Sequence, residues 1–211
     1  MLTFYHAPWS RSSGILWLLE ELQVPYEFEM IDIRAREGVP ESYRSIQPNK
    51  KVPAIVHDGQ VVTERAAITI YLADRFPQAG LAPAIEDSDR AAYLTALVYC
   101  DSVFDPAICA HVQGLKYESN HYAFGTFADM LAYIERRLAR HPFAAGGRFT
   151  AADTQLASGI NYTMNILRAL PEKPVFKEYL ARVETRPAFR KAQQIDMELA
   201  AKVPFFSGQE A

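Results

Sequence analysis

FYHAPWSRSSGILWLLEEL, residues 4–22, runs from an aromatic segment through a proline and three closely spaced serines into an apolar run that closes on Glu20 and Glu21. The segment LTFYH (2–6) alternates as a short strand does. From about Ser12 the residues ILWLLEEL are good helix formers with apolar side chains on more than one face, which predicts a buried helix. A strand feeding a helix start leaves free backbone N–H groups at a positive dipole end, where an anion is stabilised. Ser10, Ser12 and Ser13 fall at that junction. Two readings stay open: one serine caps the helix while the others solvate a loop, or the hydroxyls donate to a bound anion. A serine nucleophile is disfavoured, because no G-x-S-x-G elbow surrounds them.

Further along, YEFEMIDI (26–33) alternates aromatic or aliphatic with acidic residues, the pattern of a half-buried strand. The runs PAIV and VVT flank HDGQ, and Asp58-Gly59 between β-branched runs signals a hairpin. In ERAAITIYLADRF, residues Ile68, Tyr71, Leu72 and Phe76 recur at helical spacing after a capping Thr63, and Pro77 stops the helix. The first third therefore reads strand, helix, strand, a loop with one helical turn, strand, hairpin strand, helix. Val52-Pro53 leads into the third strand, where proline is admitted only at a strand start or special turn. A cis bond fits there but is not dictated. In TERAAI, Glu64 suits the first turn of a helix, whereas Arg65 opposes the dipole and fits best beside a bound carboxylate.

The stretch PQAGLAPAIEDSD (77–89) marks a boundary, since every later pattern is helical. A long helix starts near Asp89 behind Asp87 or Ser88, with Leu94, Leu97 and Val98 inward and a kink or break at Pro106. A second spans about Tyr122 to Arg140, and Thr150 with Asp153 forms a capping-box pattern that opens a third. Pro174 and Pro187 stand at the first positions of two more.

The whole chain narrows the function classes. Its 211 residues are 49% hydrophobic and 22% charged, an ordinary soluble composition. The net charge of -3 and dispersed basic residues argue against nucleic acid. No run approaches the ~20 apolar residues of a membrane span, and MLTFYHAPWS lacks the pattern of a signal peptide, so a cytoplasmic protein is expected. Cys100 and Cys109 are about 13 Å apart along a helix axis, too far for a disulfide, and read as core hydrophobes. The five histidines show no metal spacing with them, so no metal is expected. Asp101 and Asp105 read as a polar stripe.

Hydroxyls at a first helix start, X-Pro at a third strand and an acidic first turn after a hairpin occur here in that order. With WSRSSGILWLLEEL, NKKVPAIV, TERAAITIYLADRFP and FTAADTQLA as carriers, nearly the whole chain resembles the cytosolic glutathione transferase family. The resemblance implies an α+β molecule: a thioredoxin-like βαβαββα domain over 1–78, a linker over 79–87, and an all-helical domain over 88–211. It implies that Ser10, or alternatively Ser12, hydrogen-bonds the glutathione sulfur, as in the family's serine-type branches. It further implies that Val52 pairs with the cysteinyl unit, that Pro53 is cis, that Asn49 and Lys51 lie near the glycine carboxylate, and that Glu64 meets the γ-glutamyl amine. Arg65 departs from the serine usual in the family, and its guanidinium either takes over the carboxylate contact or turns outward to a dimer partner. Trp9, Tyr99 and Phe104 are the candidates for the electrophile pocket.

The implied activity is conjugation of glutathione to a small hydrophobic electrophile, the chemistry of detoxification, by a cytoplasmic homodimer with glutathione as co-substrate. Peroxidase, dehalogenase or isomerase activity on the same fold is the alternative, as is a non-catalytic interaction protein. Serine in place of cysteine argues against thiol exchange.

Overall fold

The computed structural model describes residues 1–207. Its sheet holds β1 (Leu2–His6), β2 (Glu27–Met30), β3 (Ala54–His57) and β4 (Gln60–Thr63) in the order β2-β1-β3-β4. β1 runs parallel to β2 and antiparallel to β3, and β3 and β4 form the expected hairpin. Asp58 and Gly59 both take positive φ at its turn, which is why the Asp-Gly pair is there. The one helical turn expected in the long loop is a 3-10 turn over Glu41–Ser45.

Helix α1 (Ser13–Leu22) buries Ile15, Leu16, Trp17, Leu18 and Leu19 completely or nearly so, as its all-round apolar pattern predicts. Each such side chain contributes about 1.5–3 kcal/mol through removal from water. One partner of α1 was not legible. Helix α8 (Pro187–Ala200) lies against it, with Phe189 edge-on to Trp17 at a centroid distance of 4.8 Å. Arg186 grips Glu21 with two bonds of 2.5 and 2.7 Å, and Lys191 meets Glu20 at 2.7 Å.

Contacts accordingly divide the chain out of sequence order. One compact unit is Met1–Leu72 together with the segment from Arg186 onward, and the other is Ala73–Thr185. This differs from the expected domains 1–78, 79–87 and 88–211. Helix α2 (Arg65–Arg75) spans the division, and α8 joins the sheet-bearing unit because its charges and aromatic face complement α1. Residues 208–211 of the expected helical domain lie outside the described residues.

In the second unit α3 (Arg90–Tyr99) and α4 (Asp105–Val112) are joined by a π-turn, Cys100–Phe104. Pro106 was expected to kink or break this helix; the wider turn accommodates the hydrogen bond that proline cannot donate. Val98 is half-exposed rather than inward, and Cys109 is exposed while Cys100 is buried, so only one cysteine is a core residue. Helices α5 (Phe127–Arg140), α6 (Ala151–Asn161) and α7 (Pro174–Val183) complete the unit. At the start of α6 the buried Asp153 carboxylate accepts from the N–H groups of Thr150 (2.9 Å) and Ala144 (2.7 Å) and from the Tyr179 hydroxyl (2.9 Å). Burial outweighs these donors and pushes its carboxyl up to about 6.

Candidate functional site

Strand register brings the three sequence signals to one end of the sheet. Tyr5 pairs with Ala54 and Ala54 with Thr63. The serine loop that follows His6, the Val52-Pro53 peptide that precedes Ala54, and Glu64 that follows Thr63 therefore leave the sheet together. The Val52-Pro53 bond is cis, and Pro53 is buried.

The three serines have separate fates. Ser12 is completely buried: its Oγ lies 2.7 Å from His6 Nδ1, 2.9 Å from the Ala7 carbonyl and 3.2 Å from the Ala7 N–H. It occupies the N-cap position without a side-chain capping bond, because its hydroxyl is engaged inward. Ser13 donates to Asp196 Oδ2 at 2.5 Å rather than finishing the loop. Ser10 is half-buried, its Oγ 2.7 Å from the Ala7 carbonyl and 2.8 Å from Ser12 Oγ, and it accepts from the Ser12 N–H at 3.1 Å. Of the two sulfur-binding candidates, Ser10 is thus the one with solvent access.

Behind them His6, itself completely buried, faces Asp196 Oδ1 through Nε2 at 2.9 Å. Asp196 also takes the Trp9 N–H at 3.4 Å. Sequence reasoning considered His6 only as a metal ligand and did not consider Asp196 at all. Nothing local announces a pairing across 190 positions.

On the other flank Gln47, buried and also missed, bridges two candidates: its Oε1 accepts from the Lys51 N–H at 3.0 Å and its Nε2 lies 3.4 Å from Glu64 Oε1. The Tyr43 hydroxyl holds the Lys51 carbonyl at 3.0 Å, and burial followed by the neighbouring Tyr5 pushes that phenol up, so it stays a donor. Lys50 is committed to Glu41 (2.6 Å) and the Val39 carbonyl (2.9 Å). Lys51 and Asn49 are exposed and Val52 is half-buried. Glu64 is exposed with φ at 68°, a backbone state that is strained for a residue with a Cβ and that collects at binding sites. Arg65 is 7% exposed, so its side chain does not project outward as one alternative required.

Trp9 is 51% exposed, with φ at 54°, and stands edge-on to Phe206 at 4.7 Å. Tyr99 and Phe104 belong to the second compact unit. There Tyr99 is partly exposed and stacks on Tyr133 at 4.3 Å. Phe104 is 1% exposed and seats its ring edge over Gly159, so it is a core residue and not part of a pocket wall. No group of three or more His, Cys, Asp and Glu among the described residues is placed to hold a metal. No helix of the described residues is long and apolar enough to cross a membrane.

Comparison with known proteins agrees with the element order. Residues 1–74 match the family model of the glutathione S-transferase N-terminal domain, and residues 110–192 that of a glutathione S-transferase C-terminal domain. The chain is 31% identical to glutathione S-transferase 3 of Schizosaccharomyces pombe, over 92% of this chain and 87% of that protein. It is 26% identical to the disulfide-bond oxidoreductase YfcG of Escherichia coli, over 91% and 94% of the two chains. Among solved structures, a sphingomonad glutathione S-transferase complexed with glutathione superposes with a TM-score of 0.73 at 26% identity, covering 92% of this chain and 98% of that one.

Proposed function

The chain belongs to the glutathione S-transferase family, and on that premise we propose that it binds glutathione at the sheet end described above and activates the thiol at Ser10 for attack on a small hydrophobic electrophile. The observation that carries this reading is the contrast between Ser10, which is partly exposed, and Ser12, which is completely buried. The sphingomonad relative with glutathione bound supports the choice of co-substrate.

A free thiol with a pKa of about 8.5 is only a few per cent ionised at neutral pH. Lowering it to about 6.5 requires about 2.7 kcal/mol in favour of the anion. A hydroxyl donor at the start of α1, with the helix dipole behind it, supplies a contribution of that order. Glu64 would take the γ-glutamyl amine, Val52 the cysteinyl backbone, and Lys51 with Asn49 the glycine carboxylate. Buried Arg65 would support the carboxylate side from within. Trp9 would offer aromatic surface to the electrophile, held so that attack is effectively intramolecular.

A second reading has a specific basis in the oxidoreductase relative, namely glutathione-dependent reduction of a disulfide. Neither free cysteine lies in the serine loop, so such a reaction would use glutathione thiols alone. Calorimetric titration with glutathione, followed by rates against aryl halides, activated alkenes, peroxides and a glutathionylated disulfide, tests the proposal. Absence of glutathione binding at millimolar concentration would refute it, and turnover of the disulfide alone would select the second reading. The proposed assembly is a homodimer, checked by sedimentation for a species of twice the chain mass. The proposed setting is the cytoplasm, where free thiols such as Cys100 and Cys109 persist.

A further inference from the structure

Activation at Ser10 must pass the thiol proton either to solvent or to a group of the protein. From Ser10 a continuous line of hydrogen-bonding atoms runs inward: Ser10 Oγ to Ser12 Oγ at 2.8 Å, Ser12 Oγ to His6 Nδ1 at 2.7 Å, and His6 Nε2 to Asp196 Oδ1 at 2.9 Å. Three of its four residues are buried, Ser12 and His6 at 0% exposure and Asp196 at 6%. Burying polar side chains in series is costly unless each bond is made.

We propose that His6, held by Asp196, is the internal acceptor of the glutathione thiol proton, which reaches it through Ser10 and Ser12. The inference rests on the reading that Ser10 contacts the glutathione sulfur. Before transfer Nε2–H donates to Asp196, so Nδ1 is the bare nitrogen and accepts the Ser12 hydroxyl proton. On transfer the S–H bond breaks and its proton goes to Ser10 Oγ, Ser10 passes its own to Ser12 Oγ, and Ser12 passes its own to Nδ1. Each hydroxyl gains one proton and loses one. The products are a thiolate and an imidazolium whose two N–H groups point at Ser12 and Asp196. The Ala7 carbonyl accepts from Ser10 Oγ at 2.7 Å and from Ser12 Oγ at 2.9 Å and so holds the two oxygens side by side, and each hydroxyl turns from it to carry the proton inward.

The His6 ring packs tilted against Phe4 and Phe28, at centroid distances of 5.0 and 5.7 Å. Asp196 supplies the compensating negative charge, and imidazole is the side chain whose ordinary charge change falls near neutral pH. His6 and Asp196 are positioning residues, since neither touches the substrate.

The test counts protons on the intact protein. Glutathione is titrated calorimetrically at one pH in buffers of different ionisation enthalpy, with thiolate followed by its ultraviolet absorbance. Wild type is expected to form thiolate while releasing about zero protons to buffer, and Asp196→Asn or Ser12→Ala to release about one per thiolate formed. Nitrogen spectra of labelled histidine should show one ring becoming imidazolium on glutathione binding. Release of a full proton by wild type, with no histidine change, overturns the inference while leaving the glutathione reading intact. Binding without thiolate, or no binding, overturns the underlying reading and this inference with it. The wild-type count decides the matter even if a variant fails to fold.

Discussion

Asp196 on α8 meets His6 at the end of β1 with a 2.9 Å contact, and the same carboxylate takes the Ser13 hydroxyl at the start of α1. Ten residues earlier in the chain Arg186 grips Glu21 near the other end of α1. The two helices are therefore antiparallel and clamped at both ends. Ser13 at the start of α1 and Glu20 and Glu21 near its end have one structural role in common, which is to receive α8.

The clamp yields an asymmetric prediction. Glu21 has a side chain 6% exposed and Arg186 one 37% exposed. Arg186→Ala strands a nearly buried carboxylate that, among the described residues, keeps the Trp17 indole N–H at 3.0 Å as its partner. Its expected cost is about 2 kcal/mol, below the value for a fully buried pair because water already reaches the guanidinium. Glu21→Ala leaves an arginine that can turn to solvent and should cost about 1 kcal/mol. Urea unfolding measures both, and equal costs would contradict the asymmetry.

Asp153 makes a prediction about pH. Its folded pKa of about 6 lies above the ordinary aspartate value of 3.8, so the folded state binds this proton more tightly than the unfolded chain. The contribution is fully present below the ordinary value and is lost as pH rises through the folded one. It amounts to about 3 kcal/mol, each pH unit between the two values being worth about 1.4 kcal/mol. Asparagine does not titrate, so the stability of wild type relative to Asp153→Asn should fall as pH is raised from the acid side to the neutral side of that window. A carboxyl carbon of Asp153 that titrates at or below the ordinary aspartate range in the folded protein would refute it.

What was legible in the sequence was local. The strand alternation of 2–6, the Asp58-Gly59 turn and the proline starts at 174 and 187 are each decided by neighbours within a few residues, and the structure places each as expected. The candidate ligand-facing positions were legible only as an ordered set, because strand register carries separated segments to one sheet end. What was not legible depends on distance or on competition. Asp196 is read from its own helix as one more polar residue. The expected serine cap is not made by Ser12, the residue at the N-cap position, because a buried imidazole outcompetes a helix N–H for its hydroxyl. Phe104 was misplaced because it closes a π-turn, Cys100–Phe104, whose wider winding shifts the helix faces and carries its ring into the core.

Glu64 should separate stability from binding. Its φ of 68° is unfavourable for a side-chain-bearing residue and natural for glycine. Glu64→Gly is expected to leave the free protein about 0.5 kcal/mol more stable, part of the relief being offset by the freer unfolded chain. It should also weaken glutathione about tenfold or more through loss of the γ-glutamyl amine contact. Thermal melting with and without glutathione measures both quantities. A variant that is stabilised and binds normally would remove Glu64 from the site.

Ser10 and Ser12 offer the sharpest comparison, because each change removes one hydroxyl two positions apart. Ser10→Ala takes the donor from the thiolate, so the pKa of bound glutathione should rise and turnover near neutral pH should fall roughly tenfold to a hundredfold. The deficit should shrink as pH rises and the thiol ionises unaided, while glutathione affinity changes little. Stability should fall only modestly, since Ser10 is half-buried and water can reach its partners. Ser12→Ala does the opposite. It leaves the Ala7 N–H and His6 Nδ1 without the hydroxyl in a place sealed from solvent, at a cost of about 2 to 4 kcal/mol. The sulfur keeps its Ser10 bond, so the rate should fall less than in Ser10→Ala even though the proton must now leave by way of solvent. Melting temperatures and pH–rate profiles of the two variants, taken together, decide the assignment. If Ser12→Ala shifts the profile and Ser10→Ala does not, the sulfur contact belongs to Ser12. If neither shifts it, the thiolate is held by a backbone amide or by Arg11, and the serine hydroxyls serve only the fold.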